Sequence, residues 1–189
     1  GTHTTPSTIL EVMALRKSRL KPALKPWLLR IWRRLPGLVQ GWAVWLMMPK
    51  FLVGSMAVTF DDAGQVLLFR HTYREDYPWG LPGGWIKAGE DPMRAVEREV
   101  FEESGYRVKT RHPLVIGGDR DLRRLDLIFL CELDGGTFSP SAEVSDAGFF
   151  PPEALPGRME PFHVQVVAYA AALRRGEQGG LRPPPPVAE

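Results

Sequence analysis

Glu99, Glu102 and Glu103 stand at i, i+3 and i+4 within GGWIKAGEDPMRAVEREVFEESGY, residues 83–106. On a helix advancing about 100° per residue the three carboxylates share one face. That face lies beside an apolar stripe of Met93, Val96 and Val100. Without a countercharge this is poor helix design, because like charges one turn apart repel. Glu102 and Glu103 also fall in the last turn, where the helix dipole disfavours anions. A cation removes both penalties. Hard divalent ions take oxygen ligands and bridge protein carboxylates to substrate phosphates, so the spacing points to a Mg2+ site, with Mn2+ as the alternative. The competing reading is a solvated acidic face, for which the spacing would carry no meaning.

The elements that must position these acids can be read from the same stretch. Asp91 followed by Pro92 is a helix start, since Asp accepts from orphan backbone N–H groups and Pro at the first position wastes no donor. Gly105 is the stop. Upstream, the polar loop from His71 to Pro78 leads into WGLPGG, which delivers Gly83 and Gly84 to the acids.

Gly84, Glu90 and then Arg98, Glu99, Glu102, Glu103 and Gly105 at their fixed spacings resemble the signature of the Nudix hydrolases, with Tyr106 standing where the pattern usually has an aliphatic residue. The resemblance extends less specifically from about Leu52 to Arg175. It implies that Glu99, Glu102 and Glu103 are metal-binding carboxylates, with the Gly83 carbonyl as a further ligand. Arg98 and Glu90 would orient the acidic cluster, an outer-shell role suited to an Arg among three acids. In EVSDAGFF, residues 143–150, the resemblance implies one more acid near the metals, Glu143 first and Asp146 second. Arg98, Glu99, Glu102, Glu103 and Glu143 thus form the implied catalytic set, with the base left between Glu102 and Glu103, assisted by Glu143.

The implied fold is α/β, a Nudix-like α/β/α sandwich with a mixed sheet, here carrying an N-terminal helical extension. The implied activity is metal-dependent hydrolysis of the pyrophosphate in a nucleoside diphosphate linked to another group. ADP-ribose or a nucleotide sugar leads as the small-molecule nucleotide substrate, and nucleoside di- or triphosphates follow. A catalytically silent nucleotide-binding interaction module is the reading from another class, weakened because all three glutamates are present. For the substrate, Trp79 and Trp85 offer stacking surfaces, as do Tyr73 and Tyr77, while Arg70, Arg74 and His71 offer contacts to phosphate or ribose.

The strands around the site follow from pattern. Phe51–Phe60 and Gln65–Arg70 read as a hairpin across the Asp61–Gly64 turn. Arg107–Ile116 and Leu125–Leu133 read as two more strands, joined by the charged loop GGDRDLRR. Pro161–Arg175 carries Val164, Val167, Ala168 and Ala171 at helical spacing and closes the domain. The chain has 189 residues, 44% of them hydrophobic, enough for one domain with a core plus an extension. We expect residues 1–50 to be a basic and apolar extension, 51–176 the hydrolase domain and 177–189 a proline-rich, disordered tail. The lone Cys131 excludes a disulfide scaffold and suits a reducing, cytoplasmic setting.

Charge divides the chain. Up to Phe60 nine Lys or Arg face one acid, Glu11, whereas the remainder holds 15 basic and 21 acidic residues. The first eight residues read as loose, Pro22 and Pro26 as breaks between two short helices, and Leu38–Met48 as an apolar run too short to span a bilayer. No signal-peptide pattern is evident. The first reading of the arm is an apolar face packed on its own domain or on a second subunit as a homodimer. Contact with an anionic membrane surface comes second, and nucleic acid behind it.

Overall fold

The computed structural model describes residues 24–119 and 123–177. Residues 1–23, 120–122 and 178–189, which include the whole of the expected loose start, the expected break at Pro22, part of the charged loop and all but the first residue of the proline-rich tail, lie outside the described residues. The chain divides into two compact units, Gly1–Pro49 and Lys50–Glu189.

In the first unit, α1 (Leu24–Arg34) and α2 (Gly37–Met47) are separated by a turn at Leu35 and Pro36. Pro26 does not break a helix as expected. It falls in the first turn of α1, where a missing N–H costs no intrahelical bond. The Gln40 amide donates to the carbonyls of Trp32 at 2.8 Å and Leu35 at 3.0 Å, satisfying acceptors that the end of α1 leaves open.

In the second unit the strands are β1 (Leu52–Phe60), β2 (Val66–His71), β3 (Trp79–Gly80), β4 (Gly83–Trp85), β5 (Tyr106–Asp119), β6 (Arg124–Gly136) and β7 (Val144–Phe150). The helices are α3 (Pro92–Ser104) and α4 (Pro161–Arg174). One mixed sheet runs β3-β2-β1-β6-β5, with β4 added to β1 and β7 to β2. The β1–β6 pair is parallel and every other pairing among these strands is antiparallel. The expected strands are thus present, and WGLPGG, the glycine-rich stretch that delivers Gly83 and Gly84, contributes β3 and most of β4.

Because side chains alternate across a strand, the sheet builds two cores. Ala57, Leu67, Phe69 and Phe129 pack against Val96 and Val100 of α3. Their neighbours Val58, Leu68 and Ile128 pack on the opposite face against Phe162, Val166, Val167 and Ala170 of α4. Sheet between helices is the expected α/β/α sandwich. Cys131 is buried on the α3 side, where burial pushes its thiol up to about 12.

Candidate metal centre and substrate hollow

Asp91 caps α3 by accepting from Met93 N–H at 2.8 Å and Arg94 N–H at 3.2 Å, and Gly105 ends the helix in the left-handed region at φ 75°. The helix is fastened by Glu97, which accepts from Thr110 N–H on β5, and by the Thr110 hydroxyl, which donates to the Met93 carbonyl. With Val96 and Val100 buried in the sheet, the stripe of Glu99, Glu102 and Glu103 is brought against β4. There the two glycines are required by space. A Cβ on Gly83 would stand 2.1 Å from the Ser55 carbonyl oxygen, and one on Gly84 would stand 2.5 Å from Glu99 Oε2.

Arg98 gathers the acids. Its Nη1 donates to Glu99 Oε1 at 2.6 Å and Glu102 Oε2 at 2.9 Å, its Nε to Glu90 Oε1 at 2.7 Å, and its Nη2 to Glu90 Oε2 at 2.9 Å. The hydrogen bonds from Arg98, helped by Lys87 N–H, hold Glu90 down to about 2. Glu103 is different. It is 6% exposed, and burial, with a smaller push from the charges of Glu99 and Glu143, raises it to about 7 although the Gly83 backbone opposes the shift. Its Oε2 is buried with no hydrogen-bond partner.

Among the described residues no three His, Cys, Asp or Glu side chains already close into a metal cage. Glu99 and Glu102 turn instead to Arg98, the cation at hand. The donor set nevertheless fits a hard divalent ion, since it consists of carboxylate oxygens, one of them desolvated and unpartnered.

Beside the acids lies an open hollow of about 620 Å³ whose walls include Tyr73, Arg74, Tyr77, Trp85, Arg124, Glu143, Glu160 and His163. Arg74 sits with its guanidinium 5.6 Å from the Tyr73 ring centroid. It is also close enough to Glu103 to pull that carboxyl down. The loop bearing these residues is pinned at both ends. Thr72 N–H and hydroxyl donate to the Glu143 and Ala142 carbonyls, and Arg158 donates to the carbonyls of Glu75 and Asp76.

Of the residues expected from sequence, Arg74, Trp85 and Glu143 therefore meet at one hollow next to the glutamates. Trp79 does not join them, because it packs edge-on against Phe150 with centroids 5.0 Å apart, on the α4 core. Arg70 is exposed on β2 and is not among the residues lining the hollow. Asp146 accepts from the N–H of Ala147, its own neighbour.

Sequence reasoning passed over Arg124, Asp126, Glu160 and His163. Asp126 is 2% exposed and accepts from Arg124 Nε at 2.8 Å, fixing the guanidinium at the hollow's edge. The available signal was Asp126 itself, a lone acid inside the apolar strand LDLIFL. His163 had no such signal, because its partner Leu81 lies some eighty residues earlier, between β3 and β4.

His163 Nδ1 accepts from Leu81 N–H at 3.4 Å, so the neutral ring carries its proton on Nε2. Burial first, and then the charge of Arg74, lowers His163 to about 3, and the same two causes lower His71 to about 4. Glu160 Oε2, 3.7 Å from His163 Nε2, is too distant for a hydrogen bond. Both rings fold neutral, whereas an unfolded His charges near pH 6.5. Their stabilisation is therefore complete above pH 6.5 and declines as pH falls from there toward 4 and 3. Urea unfolding should show a loss of about 1.4 kcal/mol per pH unit for each buried ring over that window. In His163→Gln the slope should drop by one proton, and an unchanged slope would show that His163 is not held neutral.

The family profile described as NUDIX domain matches residues 50–170. A MutT-like protein of Streptomyces ambofaciens is 29% identical over 111 residues, 59% of this chain and 71% of that protein. The NAD-capped RNA hydrolase NudC of Chromobacterium violaceum is 31% identical over 111 residues, 58% of this chain, which spans only 42% of that relative. Among solved structures, an ADP-ribose pyrophosphatase from Streptococcus suis 89-1591 superposes with a TM-score of 0.55 at 25% identity, covering 70% of this chain and 97% of that one. With a family match over well over half its length, a mixed sheet between helices, and the glutamate stripe set against a glycine strand, the chain belongs to the NUDIX domain family.

Proposed function

We propose that this protein is a divalent-metal-dependent hydrolase that cleaves the pyrophosphate of a nucleoside diphosphate linked to another group, of the ADP-ribose or nucleotide-sugar type. The observation that carries the reading is the juxtaposition of the Glu99, Glu102 and Glu103 stripe with a hollow bearing Arg74, Arg124 and aromatic walls. The name of the Streptococcus suis relative supports the substrate type.

Glu99, Glu102 and Glu103, with the Gly83 carbonyl, would hold Mg2+ or Mn2+. When bound, the metal neutralises phosphate charge and lowers the pKa of a water. The chain's own residues do the rest. Arg98 keeps Glu99 and Glu102 on one side of the helix, and Glu90 keeps Arg98 in place. Arg74 and Arg124 offer guanidinium donors suited to phosphate oxygens. Tyr73, Tyr77 and Trp85 give flat surfaces for a base. Glu102 or Glu103 takes the proton of the attacking water, with Glu143 near Glu103 as an assisting acceptor.

Phosphate release from a panel of ADP-ribose, nucleotide sugars and nucleoside di- and triphosphates, with and without Mg2+, tests this. ADP-ribose or a nucleotide sugar should lead. Preference for a triphosphate would favour the nucleoside triphosphate reading, and binding without turnover would favour the silent module. Glu102 is half-exposed, so Glu102→Gln should leave stability nearly unchanged. It should nonetheless lower turnover of the best substrate by roughly a hundredfold or more and shrink the thermal stabilisation given by Mg2+.

A further inference from the structure

The helices of the first unit have a feature that hydrolysis at the metal centre does not use. α2 contains no ionisable residue, and none of its residues is buried. Leu38 is 83% exposed, Trp42 71% and Leu46 73%, with Trp45 beside them and the two indoles edge-to-face at 5.8 Å. At 100° per residue these four side chains lie within one arc of about 100°. The one polar side chain of the helix, Gln40, projects from the opposite side, where it is spent on the α1 carbonyls. The apolar arc is therefore unbroken by any polar group.

The neighbouring helix is cationic. Arg30, Arg33 and Arg34 occupy one side of α1, and Leu28 and Ile31 the other. In the sequence through Pro49, eight Lys or Arg stand against one acid. Exposed Trp and Leu preceded in sequence by a run of arginines match a bilayer surface, where indoles sit at headgroup depth and basic residues meet anionic lipid. With 11 residues, α2 is about 16 Å long, half of a hydrocarbon core of about 30 Å. Among the described residues no helix is long and apolar enough to cross a membrane. The contact is therefore one that lies in the interface.

We propose that the segment of α1 and α2 docks this enzyme on an anionic lipid surface, with Trp42, Trp45, Leu38 and Leu46 inserted and the α1 arginines paired with headgroup phosphates. The occupant is lipid rather than another protein because the adjoining α1 supplies three arginines complementary to anionic headgroups, while α2 offers a partner chain no polar group for orientation.

The test is flotation of the full chain with vesicles of phosphatidylcholine alone or with about one third phosphatidylglycerol, read together with Trp emission. Binding should require the anionic lipid, weaken with salt, and shift the emission to shorter wavelength. Trp42→Glu with Leu46→Glu should abolish flotation while leaving hydrolysis in solution at the parent rate. Replacing Arg30, Arg33 and Arg34 by Gln should weaken binding by about fivefold per residue, roughly a hundredfold together. Because the Glu variant only adds charge to an exposed face, its unchanged melting temperature would show that lost flotation is not unfolding. Absence of flotation overturns the proposal. So does flotation unaffected by both sets of substitutions. Conversion of a dimer to a monomer by the Glu pair, without vesicle binding by the parent, assigns the face to a second copy. Salt-sensitive binding to polyuridylate without flotation assigns it to RNA.

Discussion

Glu103→Gln is expected to cut turnover about a thousandfold while leaving the metal-free protein as stable as the parent or more so. The side chain is buried, its charge is disfavoured by that burial and by Glu99 and Glu143, and Oε2 has no partner. Gln preserves shape and can still accept through its carbonyl oxygen, so folding loses little. On the proposed metal site, binding would lose a charged ligand in the least solvated position of the stripe. The effect should exceed that of Glu102→Gln, whose carboxylate is more than half exposed. Two measurements check this, kcat at saturating Mg2+ and melting temperature in EDTA. A variant that turns over at the parent rate would remove Glu103 from the site. One that melts well below the parent in EDTA would instead make Glu103 a structural residue.

The adjacent glycines should separate folding from chemistry. In Gly83→Ala the new Cβ meets backbone atoms of the central strand, the Ser55 carbonyl oxygen at 2.1 Å and Met56 Cα at 2.7 Å, at a φ of 147° that side chains rarely adopt. Backbone cannot step aside cheaply, and a loss of roughly 4 kcal/mol is expected on urea unfolding. In Gly84→Ala the nearest atoms to the Cβ are those at the carboxylate end of the Glu99 side chain. That side chain can swing away, so stability should fall by only about 1 kcal/mol. Displacement of Glu99, a ligand in the proposed metal site, should still cost turnover about a hundredfold. Equal stability losses in the two variants would contradict the contacts described, as would a Gly84→Ala enzyme with parent turnover.

The legible parts of this protein are those whose determinants are local. Asp91, Pro92 and Gly105 bound α3 within a residue of expectation, and the spacing of Glu99, Glu102 and Glu103 puts them on one face because a helix has only one period. Strand alternation likewise separates Leu67 from Leu68. Trp79 and Trp85, by contrast, look equivalent in sequence, since both flank the glycine turn. Their separation depends on two- and three-residue strands that pair with β2 and β1, and so on register set by the whole sheet. Arg124 and His163 reach the hollow from β6 and α4, which no short window could bring together. Pro26 misleads for a different reason: proline ends a helix from its interior but is tolerated in the first turn.

β1 is bonded on one side to β2 and β4 and on the other, in parallel register over nine residues, to β6. The glycine strand that carries Gly83 is thus not a flap over the core but a direct attachment to the sheet's innermost member. Opening it exposes the backbone of β1, so the amides of Gly83–Trp85 belong to the same cooperative unit as the core. Amide exchange there should follow global unfolding rather than fraying of a surface loop. The hollow's other wall, the segment bearing Tyr73 and Arg74, hangs from side-chain and carbonyl contacts instead. The two walls of the hollow should therefore open with different free energies, a rigid one against which the glutamates rest and an adjustable one bearing Tyr73 and Arg74.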